Sequence, residues 1–371
     1  KILKENNIDI VIIGPEQPLV DGLADYLRNK SIRVLGPSKF ASQLEGSKAF
    51  MKDICKKNNI PTADYGVFDN LDEAKKFIKK NKIPIVVKAD GLAAGKGVSI
   101  CNSFDEAIQN TKEILDGKFK SSTKVILEEF IEGEELSYFV IVDKKSYKFF
   151  GSAQDHKRVG EGDTGPNTGG MGAYTPAKIL TSNVEEKIKK KIIEPTLLAM
   201  KNLGNPYEGF LYAGLMIKEG EPFLIEYNIR MGDPECQALM MRLKTDLVDI
   251  VDHLTKDSLN NLKILWSKKN CITVVLCAKG YPNKYIRDSE IENLPKIKVD
   301  MNNQIFHAGT YEKDKKIFSK GGRVLNITSM SDKMIDAKNN SIDILKKIDW
   351  KDGFYRNDIG WRIIKHEDYK R

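Results

Sequence analysis

The chain has 371 residues, 41% of them apolar and 30% charged, a globular composition rather than a disordered or fibrous one, with room for two or three domains. Its formal charge of +8 is spread over lysines scattered among Glu and Asp, with no basic stripe interleaved with aromatics, so no nucleic-acid partner is expected. No run approaches the ~18 consecutive apolar residues of a membrane helix, and the start, Lys1-Ile2-Leu3-Lys4-Glu5-Asn6, lacks the charged, apolar and cleavage regions of a signal peptide, so no membrane partner is expected either.

In chain order, Asp9-Ile10-Val11-Ile12-Ile13 reads as a short buried strand ending at Gly14-Pro15. Leu19, Leu23 and Leu27 then mark one helix by their spacing of four, and Arg33-Val34-Leu35 before Gly36-Pro37 repeats the strand pattern. This is a piece of a doubly wound α/β motif, so the chain is expected to begin inside a domain. Gly46-Ser47-Lys48 opens a helix that Ser47 can cap, with Phe50, Met51, Ile54 and Cys55 on its apolar face. From 62 to about 130, short strands and helices alternate as a compact α+β lobe. From 135 to 230, longer strands pair as two hairpins, 136–142 with 147–152 and 211–217 with 222–228. A polar, Gly-rich stretch at 154–172 and a single long helix near 183–202 lie between them. A third region opens at Cys271 and includes an amphipathic helix around 332–348.

Five cysteines (Cys55, Cys101, Cys236, Cys271, Cys277) are widely spaced with no CxxC. They suggest neither a disulfide framework nor a zinc site, and a reducing cytoplasm fits them best. Each is expected to be a small buried apolar residue rather than a nucleophile.

Three stretches carry chemistry. In Val86-Val87-Lys88-Ala89-Asp90-Gly91-Leu92-Ala93-Ala94-Gly95-Lys96-Gly97-Val98, a lysine at a strand end leads into a loop with three glycines. Backbone N–H groups of such a loop can wrap a phosphate; a plain flexible turn reads the same way. It is not a Walker A loop, since no Gly-Lys-Ser/Thr leads into a helix. In Phe223-Leu224-Ile225-Glu226-Tyr227-Asn228-Ile229-Arg230, strand alternation puts Glu226, Asn228 and Arg230 on one face and Phe223, Ile225, Tyr227 and Ile229 on the other. A carboxylate and an amide oxygen are hard ligands suited to Mg²⁺ shared with nucleotide phosphates, and Arg230 could steady a phosphoryl group in transfer. An amphipathic strand with one wet face is the alternative. Third, Gln154-Asp155-His156-Lys157-Arg158 precedes Gly162-Asp163-Thr164-Gly165-Pro166-Asn167-Thr168-Gly169-Gly170-Met171-Gly172-Ala173-Tyr174. Three cationic side chains beside so many turn-formers suit a phosphate or carboxylate better than a solvated loop does.

With Lys48 after Gly-Ser, Glu128-Glu129-Phe130, Gly133-Glu134-Glu135, Gly232-Asp233-Pro234-Glu235, Gly280-Tyr281-Pro282, Phe306-His307-Ala308-Gly309-Thr310, Gly321-Gly322-Arg323-Val324 and Tyr355-Arg356-Asn357-Asp358, these stretches resemble the glycinamide ribonucleotide synthetase family of ATP-grasp ligases over essentially the whole chain. The resemblance implies α/β and α+β domains: a remnant of the N-terminal α/β domain at 1–45, an ATP-grasp domain at 46–268 with a mobile lid at about 62–132, and a small β-rich C-terminal domain at 269–371.

It implies ATP-dependent ligation of glycine to 5-phosphoribosylamine through glycyl phosphate, in purine biosynthesis. Lys48 and Lys88 would hold the phosphates, and the loop with Gly91, Gly95, Lys96 and Gly97 would close over them. Glu128, Glu129, Phe130 and Ile131 would meet the adenine through their backbone, and Glu135 the ribose. Glu226 and Asn228 would coordinate Mg²⁺ (or Mn²⁺). Arg230, Asp163 and Lys157 are the candidate catalytic side chains, the last two on the acceptor and glycine side.

Family members begin with a strand–turn–helix containing Gly-Gly-Arg-Glu that helps hold phosphoribosylamine. The sequence starts after it, roughly 30 residues or more into the fold, so weak phosphoribosylamine binding is expected. Oligomeric state stays open between monomer and weak dimer. A biotin or aminoimidazole-nucleotide carboxylase would share the ATP residues but lack the 154–174 and Phe-His-Ala-Gly-Thr motifs. A non-enzymatic nucleotide-binding protein would have lost metal or phosphate ligands, and all are present.

Overall fold

The computed structural model describes residues 2–93, 97–119 and 122–368. The chain comprises two compact units: Lys1–Phe150 with Ile179–Met231 and Leu247–Lys263, and Gly151–Lys178 with Gly232–Asp246 and Ile264–Arg371. The second unit gathers residues 151–178 and 232–246, which the sequence places with the nucleotide domain, beside C-terminal strands.

In the first unit, Ile10–Ile12 and Arg33–Leu35 pair in parallel. The single helix expected between them is two, Glu16–Asp21 and Leu23–Arg28, because Gly22 takes a left-handed φ of 94° and ends the first turn series. Tyr65–Phe68, Val125–Glu129, Ile85–Ala89 and Val98–Cys101 form a four-stranded antiparallel sheet in that order. Helices Leu71–Lys80 and Phe104–Leu115 cover one face, sharing a core with Ile85, Val87, Ala89, Val125 and Leu127. Strand alternation therefore turns Val86, Lys88, Ile126 and Glu128 to the opposite face.

A second antiparallel set runs Glu221–Asn228, Gly209–Lys218, Glu134–Val142. The expected helix near 183–202 is an α-helix Ser182–Ile188, a π-turn Lys189–Ile193 and an α-helix Glu194–Asn202. Pro195 has no N–H to offer an i−4 carbonyl, and the wider π-turn before it accommodates that loss.

In the second unit, Gly172–Thr175, Asn270–Ala278, Arg323–Ser331 and Asn303–His307 pair antiparallel in sequence of contact. The stretch expected to be loop at 154–172 contains the end of Tyr147–Asp155 and a small hairpin, Arg158–Gly160 with Thr164–Asn167. Helix Met334–Leu345 buries Met334, Ala337, Ile344 and Leu345 in the core with Val274, Leu276 and Ile327. Among the described residues no helix is long and apolar enough to cross a membrane.

Candidate active site

Ser47 caps helix Lys48–Lys57 by accepting from Phe50 N–H. Its own hydroxyl donates to the Asp90 carboxylate, which also accepts from Ala49 N–H at 3.1 Å. That ties the start of the glycine loop to the helix and brings Lys48 Nζ within 3.0 Å of the Gly91 carbonyl. Gly91 has φ of 81°, a conformation open to glycine at little cost. Gly97 leaves room for Ala93 and Ala89, since a Cβ there would lie 2.6 Å from the Ala93 methyl. Gly95 and Lys96 lie outside the described residues. Burial pulls the Lys48 ammonium down, with Glu226 opposing and Lys88 adding to the shift.

Lys88 is buried on the inner face of its sheet. Its Nζ sits 2.9 Å from Glu128 Oε2 and donates to the Ile225 carbonyl at 3.3 Å. The same Glu128 oxygen lies 3.3 Å from Lys52 Nζ. A lysine within an amphipathic helix reads as solvated, yet Lys52 is fully buried. Glu129 N–H donates to the Asp64 carbonyl, Phe130 is exposed and Ile131 buried. Glu135 lies in strand Glu134–Val142, opposite Met216.

On strand Glu221–Asn228 the expected alternation is broken. Gly214 pairs with Glu226 and Leu215 with Leu224, leaving Ile225 as a bulge. Buried positions accordingly run Pro222, Leu224, then Tyr227 and Ile229, and Phe223 and Ile225 are not the core residues expected. The bulge presents the Ile225 carbonyl to Lys88. Glu226 stacks over Gly214, where a Cβ would lie 3.2 Å from its Cγ.

Arg230 is not an open cation. Its Nη2 donates to Glu45 Oε1 at 2.9 Å and its Nε to Glu16 Oε2 at 3.1 Å, and Glu45 also accepts from Ile229 N–H at 2.8 Å. Burial pushes Glu45 up to about 7, against the pull of Arg230 and the Ile229 hydrogen bond. Glu45 and Glu16 carried no local motif, and only the fold places them there.

In the other unit, two members of the expected cationic cluster, His156 and Arg158, make contacts within the protein. His156 is buried, and its Nε2 accepts from Gly360 N–H at 3.0 Å, which leaves the proton on Nδ1. Nδ1 faces Asp163 at 3.5 Å, an electrostatic approach beyond good hydrogen-bond length. Burial lowers the imidazole's proton affinity, with Asp163 opposing. Arg158 donates to the Gly165 carbonyl, and Lys157 offers its carbonyl to Thr168.

Asp163 holds Arg356 at 3.0 Å and Arg362 at 2.5 Å. Partial burial raises it, but His156 and the two guanidiniums hold it well below the usual carboxylate range. These contacts tie the loop at Asp163 to Arg356 and Arg362. Nearby, Arg323 donates to the Gly169 and Asp233 carbonyls and pairs with Asp233 at 2.8 Å. The five cysteines are free thiols, four of them buried, as expected.

Glu226 and Asn228 offer one carboxylate and one amide oxygen, too few for an all-protein metal cage. Among the described residues no cluster of three His, Cys, Asp or Glu could hold a metal. Two hard oxygen atoms on a strand whose Ile225 carbonyl meets Lys88 have the chemistry that fits a cation sharing its shell with a nucleotide.

Models of three successive domains of phosphoribosylglycinamide synthetase match the chain: the N domain over 1–45, the ATP-grasp (A) domain over 46–236 and the C domain over 271–362. The chain belongs to the phosphoribosylglycinamide synthetase family. Phosphoribosylamine–glycine ligase of Brucella melitensis biotype 1 is 49% identical over 369 residues, 99% of this chain and 86% of that protein. The crystal structure of phosphoribosylamine–glycine ligase from Thermotoga maritima is 35% identical with a TM-score of 0.84, covering 94% of this chain and 85% of that one. A biotin carboxylase domain from Hydrogenobacter thermophilus, solved with MgADP and bicarbonate, is 19% identical with a TM-score of 0.73 over 95% of this chain and 77% of that one. At that identity it shows a shared fold alone. The ATP-grasp fold expected from the motifs is the fold of the family.

Proposed function

We propose that the chain performs the reaction its relatives are named for, joining glycine to 5-phosphoribosylamine with ATP and releasing ADP and phosphate, in purine biosynthesis. It is an ADP-forming carbon–nitrogen ligase acting on small molecules. A carboxylate is a poor acylating agent, so glycine's carboxylate first attacks the γ-phosphorus of ATP, giving glycyl phosphate and ADP. The amine of phosphoribosylamine then attacks the acyl carbon, phosphate leaves, and the amide forms. No nucleophilic side chain is needed; positioning and charge neutralisation suffice.

Lys48 and Lys88 hold the phosphates in this reading, with the 91–97 loop over them and residues 62–132 as a lid that keeps water from the acyl phosphate. Residues 128–131 meet the adenine through backbone groups and Glu135 the ribose. Glu226 and Asn228 hold Mg²⁺ or Mn²⁺, which when bound neutralises phosphate charge as transfer proceeds. Arg230, already held by Glu16 and Glu45, orders the end of the metal strand. Asp163 and Lys157 serve the acceptor and glycine side, Asp163 by shaping its loop. The domain division 1–45, 46–268 and 269–371 and a cytoplasmic location belong to the same reading. The observation that carries it is Lys88, buried and bonded to the bulged Ile225 carbonyl, one residue from Glu226.

The test is phosphate release from ATP and Mg²⁺ with glycine and phosphoribosylamine, together and singly. Release is expected only with both. Turnover without glycine, or preference for another carboxylate, defeats the assignment.

A further inference from the structure

Glu128 shares one oxygen between two lysines, Lys88 at 2.9 Å and Lys52 at 3.3 Å, with the Lys52 and Glu128 side chains 0% and 2% exposed. The other oxygen, Oε1, is buried without a hydrogen-bond partner among the described residues. Lys52 is fixed by more than charge. Its ammonium donates to Thr62 Oγ1 at 2.7 Å and lies 5.1 Å from the Tyr65 ring centre. Thr62 in turn donates to the Leu224 carbonyl at 2.6 Å, on the strand that carries Glu226.

Two ammoniums on one carboxylate leave a formal charge of +1 inside the protein. A buried ion pair with equal charges would be self-sufficient, whereas an uncompensated buried charge is costly until an opposite charge arrives. A one-to-one pair of Lys88 with Glu128 would spend the lysine's charge on its neighbour. With Lys52 drawing on the same oxygen, Lys88 keeps charge to offer an anion. We infer that Lys52 is a positioning residue for ATP: by sharing the Glu128 carboxylate it leaves Lys88 under-neutralised, so that a phosphate group completes the charge of the trio. This rests on the reading of Lys88 as a phosphate holder.

The charge count gives a test that a packing role would not pass. Lys52→Met makes the trio neutral, Glu128→Gln makes it +2, and the double variant restores +1 with an amide oxygen still available to Lys88. In the full chain with saturating Mg²⁺ and glycine, Lys52→Met should raise the KM for ATP roughly tenfold, the scale on which outer partners tune a ligand-holding group, with kcat and the glycine KM within about twofold. The double variant should bring the ATP KM back to within about threefold of the parent, a non-additive rescue of the kind a double-mutant cycle isolates. An unchanged ATP KM in Lys52→Met overturns the inference, and so does a double variant as impaired as the single one. Should Lys52→Met not fold, the double variant decides alone: an ATP KM near the parent supports the inference, and a large rise or failure to fold overturns it. A parent chain without ATP-dependent turnover would instead sink the functional reading.

Discussion

Glu226 owes its place to a glycine. A side chain at Gly214 would press on its Cγ, so the smallest residue on one strand gives the carboxylate on the next its room. Glu226 is half-buried and not part of the apolar core, which separates its chemistry from folding. Glu226→Ala should abolish turnover while the far-UV circular dichroism and melting temperature stay close to those of the parent. Retained activity at ordinary Mg²⁺ would remove Glu226 from the proposed metal pair. The same logic of commitment applies to cations: Lys48 ends on the Gly91 carbonyl and Lys88 shares the Glu128 carboxylate with Lys52, whereas Arg230 is held by two carboxylates, Glu16 and Glu45, and Arg356 by Asp163 and Asp358, and these have less charge to give.

At the scale of elements, the bulge at Ile225 and the close approach of two glycines decide where strands run. Gly209 begins its strand with φ of 118°, and a Cβ there would lie 3.2 to 3.4 Å from the Gly36 backbone. Neither the dihedral nor the space suits another residue. Gly209→Ala should therefore destabilise the first unit by more than about 1 kcal/mol, read as a lower urea midpoint by far-UV circular dichroism. An unchanged midpoint would mean that the strand and the Gly36 turn adjust freely. Helix Lys48–Lys57 shows the same dependence on a neighbour, since its cap bonds Asp90 of the glycine loop as well as its own first turn.

At the scale of the molecule, all three tryptophans, Trp266, Trp350 and Trp361, fall in the unit that contains His156, so tryptophan fluorescence follows that unit by itself. His156 is buried with its proton affinity lowered below the ordinary 6.5, first by burial and then by Arg362 and Arg356, with Asp163 opposing. The unfolded chain takes up a proton near pH 6.5 and the folded unit resists it. Its stability is thus full above about pH 6.5 and falls as pH drops below it, by at most about 1.4 kcal/mol per pH unit for one proton. Urea midpoints from tryptophan fluorescence should be lower at pH 5.5 than at 7.5. His156→Gln, which can still accept from Gly360 N–H, should shrink that difference; an equal difference in both proteins would clear His156 of the effect.

Local pattern was enough for the strand carrying Glu226 and Asn228, the cap at Ser47 and Lys88 near the end of its strand, because each is written in neighbouring residues and their period, while the fold family followed from the resemblance of whole motifs. The partners of those groups were not legible. Lys52 lies in a stretch that reads as a solvated helix face, Glu45 and Glu16 stand more than 180 residues from Arg230, and the Ile225 bulge depends on register against another strand. Whether a lysine is a surface charge or a buried ammonium, and whether a carboxylate is free or already spent on arginines, is settled by what packs against it from far along the chain. The sequence alone determined which chemical groups the protein holds; only the tertiary structure decided which of them are paired, because charge compensation in a buried site is a property of distance through space rather than along the backbone.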